Sequence, residues 1–143
     1  MIVAAVDQSA HARRVVKEAA ALAQAFDQPL HVVHVMRQSE FVSRQQDHAE
    51  ETGKPIDMAE IREIATEHAE SIAEDVDTIG EYTPVGLVGD APSEVVEYAN
   101  THDVRYIVVG PRSRSPAGKA VFGSTAQSIL LNASCAVVSI VDN

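Results

Sequence analysis

Five short apolar runs, separated by stretches of different periodicity, restrict this chain more than any other feature of its sequence. They are Ile2–Val6, Leu30–Met36, Tyr82–Val88, Val104–Val109 and Ala136–Val141. Each is brief and rich in aliphatic residues, the pattern of strands covered on both faces. Between them apolar residues recur at helical spacing. Ser9 is placed to cap a helix carrying Val15, Val16, Ala19, Leu22, Ala23 and Phe26. Asp57 and Glu60 resemble a capping box. The stripe Ile61, Ile64, Ala65, His68, Ile72, Val76 and Ile79 follows, and Gly80 is expected to stop that helix. Pro92 sits in the first turn of a helix through Val95, Val96 and Ala99, and residues 124–131 read as a last helix. Residues 37–54 are polar without a clear period: a lid, or an extension of the next helix. The order βαβαβαβαβ predicts a single-domain α/β fold over residues 1–143. It is an open five-stranded parallel sheet of Rossmann-like type with helices on both faces. Ligands of such sheets sit at the carboxyl ends of the strands, which points to the segments after Val6 and Val109.

A chain of 143 residues can bury one core. No apolar run approaches the roughly 20 residues that span a membrane, and the N-terminus lacks the basic region of a signal peptide. The expected location is the cytoplasm, in agreement with a lone cysteine, Cys135, read as a small packing residue. The net charge is −10, with three lysines against eight arginines, which suits a salt-rich cytoplasm and argues against nucleic acid or an anionic membrane as partner. The charge is uneven. Residues 40–103 hold 17 acids and three bases, whereas residues 104–141 hold no acid and four bases, Arg105, Arg112, Arg114 and Lys119.

Three of those four bases lie between two glycines, Gly110 and Gly123, and the second is followed by Ser124 and Thr125 where a helix would start. Glycines let a ligand approach the backbone. Hydroxyls and free N–H groups at a helix start favour an anion, as does the helix dipole. This reads as a phosphate cradle; a merely solvated loop is the alternative. Other nucleotide folds lack their signatures here. There is no G-x-x-x-x-G-K-[ST], no G-x-G-x-x-G after the first strand, no acidic cluster beyond Asp7 at that strand, and no glycine in residues 7–10.

The arrangement that remains resembles the universal stress protein family over essentially the whole chain. The resemblance rests on Val6-Asp7-Gln8-Ser9, His34-Val35, Val88-Gly89-Asp90-Ala91-Pro92 and Ala133-Ser134-Cys135-Ala136-Val137. It rests also on the spacing G-x2-G-x9-G-[ST], matched by Gly110, Ser113 and Gly123-Ser124 with serine in place of the second glycine. The resemblance implies an adenine nucleotide, ATP or AMP, with any Mg²⁺ carried by the phosphates. Asp7 and Val35 would contact adenine or ribose, Ala5 would line that pocket, and Val109 and Gly110 would border ribose and phosphates. Gly123, Ser124 and Thr125 would hold phosphates. Ser113 narrows the α-phosphate approach or, at a positive φ, costs roughly 1 kcal/mol. It would also supply a hydrogen bond, with Arg112, Arg114 or Lys119 adding charge. The resemblance further implies a homodimer through the last strand, an apolar terminal strand expected at the sheet edge.

Other features carry less. Asp7 also fits a turn cap, and Ser9 a helix cap better than a ligand contact. His31 and His34 are three apart on a strand and must point to opposite faces; His68 is expected to pack; no protein-built metal site is expected. No nucleophile lies beside a base, so the chain is expected to signal by conformation and not by turnover. The alternatives are a nucleotide-free dimeric scaffold that engages an unidentified protein partner, and a weak nucleotidase.

Overall fold

The computed structural model describes residues 1–114 and 120–141, with side chains left undescribed at 111–114 and 120. Its elements are β1 (Ile2–Val6), α1 (Ala12–Ala25), β2 (Leu30–Arg37), α2 (Gln38–Thr52), α3 (Met58–Glu74), β3 (Thr83–Gly89), α4 (Ala91–Thr101), β4 (Tyr106–Arg114), β5 (Ala120–Phe122), α5 (Ser124–Asn132) and β6 (Ala136–Val141). Five strands form a parallel sheet in the order β3-β2-β1-β4-β6, as the alternation of the sequence predicts. Among the described residues β6 pairs with β4 alone and lies at the edge.

The apolar runs are nearly continuous because both faces of each strand are covered. On β2, Leu30 and Val32 face a core built with α1 and α3. Val33 and Val35 face the opposite core, built with Val95 and Ala99 of α4 and Ala126 and Ile129 of α5. After β3 the chain crosses back to the other side of β1 to enter β4. The carboxyl ends of β1 and β4 therefore form the switch point where such sheets leave a crevice.

α3 shows how side-chain size fixes a distance. Its fully buried row is Ile61, Ala65, Ala69 and Ala73, while Ile64, His68 and Ile72 are only half-buried. Small residues at four-residue spacing let the helix backbone settle onto β3 at Gly86. A Cβ placed there would meet Thr66 N at 2.2 Å, Ala65 C at 2.5 Å and Arg62 O at 2.6 Å.

Four local expectations are corrected. Residues 38–52, expected as a lid or as part of the next helix, form a separate helix with no buried residue; Phe41 packs it onto Met36, Ile61 and Ala65. α3 ends at Glu74, not Gly80; Val76 and Ile79 reach the core from the following turns, and Gly80 takes φ 72° beyond the helix. Ser9 does not cap α1. Its Oγ accepts from His11 N at 3.3 Å, one turn early, and the N-cap is His11. Finally, the fourth strand does not stop at Val109. It runs to Arg114 and pairs antiparallel with the short β5, Arg112 opposite Phe122 and Ser113 opposite Val121. The glycine loop is thus largely a hairpin. Ser113 lies on a paired strand, and the one non-glycine positive φ among the described residues is at Asp27, so no left-handed strain attaches to the serine.

Candidate functional site

At the carboxyl end of the sheet a cavity of about 510 Å³ opens at the switch point, within the range of small-ligand sites, roughly 300–1,000 Å³. One wall is the β4 end and the start of α5, with Val109, Gly110, Gly123, Ser124 and Thr125. The floor is the β1 end, with Ala5, Val6 and Asp7. The far wall is β2 and the first turn of α2, with Val35, Arg37 and Glu40. Of the residues that the sequence singled out, Ala5, Asp7, Val35, Val109, Gly110, Gly123, Ser124 and Thr125 meet around this one space. The backbones of Arg112 and Ser113 lie on the β4–β5 hairpin beyond Gly110; the placement of their side chains, like Lys119, lies outside the described residues.

The walls differ electrically. α3 and α4 are each closed by an aspartate, Asp57 accepting from Ala59 N and Asp90 from Ser93 N, with Glu60 and Glu94 in their first turns. α5 has neither: its N-cap is Gly123, no side chain among the described residues bonds its first N–H groups, and its first turn holds no acid. Those donors and the positive end of the helix dipole face the cavity, an arrangement that holds an anion. Gly123 sits at φ −62° and ψ 156°, and among the described residues a Cβ there would meet nothing within 4 Å; the same holds at Gly110. The glycines keep room for a ligand, not a special backbone shape.

Asp7 fits the turn reading: its Oδ1 accepts from Ser9 N at 3.0 Å, which pins the loop between β1 and α1. Sequence reasoning passed over the apolar lining, Ala91, Val95, Ala126 and Ile129, which reads only as helix core. It also passed over Gln8, His11, Arg37 and Glu40. The one signal for Glu40 was its place in the first turn after β2, visible only once residues 38–52 are known to be helical.

The histidines separate as strand geometry requires. His31 bonds the Tyr98 hydroxyl on the α4 side, while His34 faces α3, with its ring 5.4 Å from that of His68. His34 is 5% exposed. Its Nδ1–H donates to Val6 O at 3.1 Å, leaving Nε2, like His68 Nδ1, buried with no partner among the described residues. Burial pushes the His34 pKa below the usual histidine value and the His68 ring adds to this. The Val6 bond and the Glu40 and Asp7 carboxylates pull the other way without reversing it. The unfolded chain then takes up a proton near pH 6.5 that the folded chain resists, so stability is complete above that pH and falls as pH drops through it. In urea titrations at pH 7.5 and 5.0, the unfolding midpoint is expected to drop more for the native chain than for His34→Gln. An equal drop in both would remove His34 as the cause.

Among the described residues no three His, Cys, Asp or Glu side chains come together as a metal requires, and no helix is long and apolar enough to cross a membrane.

The model of the universal stress protein family matches residues 1–140. A universal stress protein structure from Archaeoglobus fulgidus is 33% identical, with a TM-score of 0.65 over 97% of this chain and 96% of its own. A universal stress protein structure from the same organism, in complex with dAMP, is 29% identical, with a TM-score of 0.61 over 97% of this chain and 95% of its own. A universal stress protein in complex with cAMP, 19% identical with a TM-score of 0.64 over 97% and 94%, shares the fold. No curated protein matches.

Proposed function

Because the chain belongs to the universal stress protein family, we propose that it binds an adenine nucleotide, ATP or AMP, and acts in a stress response or in signalling through the conformation that the nucleotide stabilises. The observation that carries this reading is the convergence of Gly110, Gly123 and the acid-free, uncapped start of α5 on one cavity at the switch point. The dAMP and cAMP complexes of relatives support it. Phosphates would lie on the N–H groups of Ser124 and Thr125, with Gly123 leaving them room and Arg112 and Ser113 on the adjoining hairpin. Ribose and base would extend across Ala5 and Asp7 toward Val35. Mg²⁺, if present, would arrive on the phosphates. The role is binding and not turnover. Ligation would change the β4–β5 hairpin and the loosely seated α2, surfaces that a protein partner can read.

A homodimer through β6 belongs to the same reading. Beyond β4, the outer edge of this strand has no pairing among the described residues, and Val137, Val138 and Val141 on it are only half-buried. An edge of this kind invites a second copy. A cytoplasmic site of action completes the proposal.

Protein purified in high salt and then denatured is expected to release stoichiometric ATP, ADP or AMP, identified by chromatography and mass spectrometry. Release of a guanine nucleotide or a dinucleotide instead would contradict the adenine assignment.

A further inference from the structure

The cavity has a carboxylate at the end opposite its anion cradle. Glu40 stands in the first turn of α2 and lines the far wall, across β1 from the start of α5. The order β2-β1-β4 puts two strand spacings between the walls, about 10 Å. A group anchored by phosphate at Ser124 would present its other end to Glu40. The carboxylate is oriented beforehand: Arg44 Nε and one terminal nitrogen of its guanidinium both donate to Oε1 at 3.2 Å, four residues along the same helix. Both bonds fall on one oxygen, so Oε2 takes no part in holding Arg44. The Glu40 side chain is 34% exposed, so it is neither sealed in the core nor free in solvent. It also acts electrostatically on the buried ring of His34 from across the cavity wall, as Asp7 does. Arg37 lines the same wall and is exposed.

An ionised carboxylate only accepts hydrogen bonds. It therefore favours a base that offers a donor and opposes one that offers an oxygen. We propose that Glu40 is a specificity-determining residue of this site, selecting the 6-amino edge of adenine over the 6-oxo edge of hypoxanthine or guanine, with Arg44 as its positioning residue. The proposal rests on the adenine-nucleotide reading above and names the side chain that makes the choice. A hydrogen bond to a charged group contributes about 1.5–3 kcal/mol, so discrimination of roughly ten- to a hundredfold is expected at this partly exposed position.

The test is calorimetric titration of the native protein and of Glu40→Gln with ATP, ITP and GTP. The native protein is expected to bind ATP at least about tenfold more tightly than ITP or GTP. Glutamine keeps an acceptor for Arg44 and adds an amide donor. Glu40→Gln is therefore expected to gain affinity for ITP in absolute terms while its affinity for ATP falls, bringing the two within about threefold. A structural disturbance would lower both, and a gain for ITP cannot come from damage. Native protein that binds ATP and ITP equally, or Glu40→Gln that leaves the ratio unchanged, would overturn the role of Glu40 and leave nucleotide binding standing. Native protein that binds none of the three would overturn the functional reading itself.

Discussion

Gly123→Val is expected to weaken ATP binding at least about a hundredfold, near 2.8 kcal/mol, while leaving the fold and the oligomeric state as they are. The two halves of this expectation come from one observation. At φ −62° and ψ 156° the backbone is in a region that a β-branched residue adopts readily, and a Cβ there meets nothing within 4 Å among the described residues. Among the described residues nothing crowds a Cβ at this position. The space it fills is the cavity beside the uncapped start of α5, where the proposed phosphate sits. Circular dichroism and the urea midpoint should match the native chain, and calorimetry should show the loss. Affinity within about threefold of native would place the phosphates away from α5.

Gly86→Ala is expected to have the opposite profile, a large loss of stability from one methyl group. The Cβ would stand 2.2–2.6 Å from backbone atoms of Thr66, Ala65 and Arg62. A side chain could rotate away, but a helix backbone must move as a body. Moving α3 off β3 would disturb Ala65, Ala69 and Ala73, all fully buried. Overpacking of this kind costs about 3 kcal/mol. Urea unfolding is expected to show that loss, and a change below about 0.5 kcal/mol would mean that α3 does not sit on β3 as described.

The contrast between these glycines shows what was legible in the sequence. Gly123 announces itself, because it is followed by two hydroxyl residues at a helix start and preceded by cations in an acidic chain. Gly86 lies inside an apolar run. Its importance depends on a helix that starts 28 residues earlier, and no local pattern reveals that contact. The parallel sheet was legible for the same reason as Gly123. Doubly covered strands must be nearly all apolar and their helices must be amphipathic, so periodicity alone separates them.

What escaped was decided by tertiary context. α2 buries no residue, so residues 38–52 carry no stripe to read, and with the helix Glu40 escaped as well. β5 is three residues long and exists because β4 extends past Val109 to meet it. The end of α3 was misplaced because Val76 and Ile79 continue the apolar pattern from turns and not from helix. Ser9 has a capping residue's chemistry and is used one turn early. On the cavity, the eight described candidates meet because loops at strand ends are brought together by topology. The residues missed there are ordinary core side chains, Gln8 and His11 between β1 and α1, and Arg37 and Glu40 at the start of α2.

The most direct test of the account is calorimetric titration of ATP into the refolded, nucleotide-free protein in high-salt buffer. The account predicts saturable binding of one ATP per chain. No saturation up to about 1 mM ATP, an affinity weaker than about −4 kcal/mol, would contradict it and leave the cavity at the switch point without its proposed ligand.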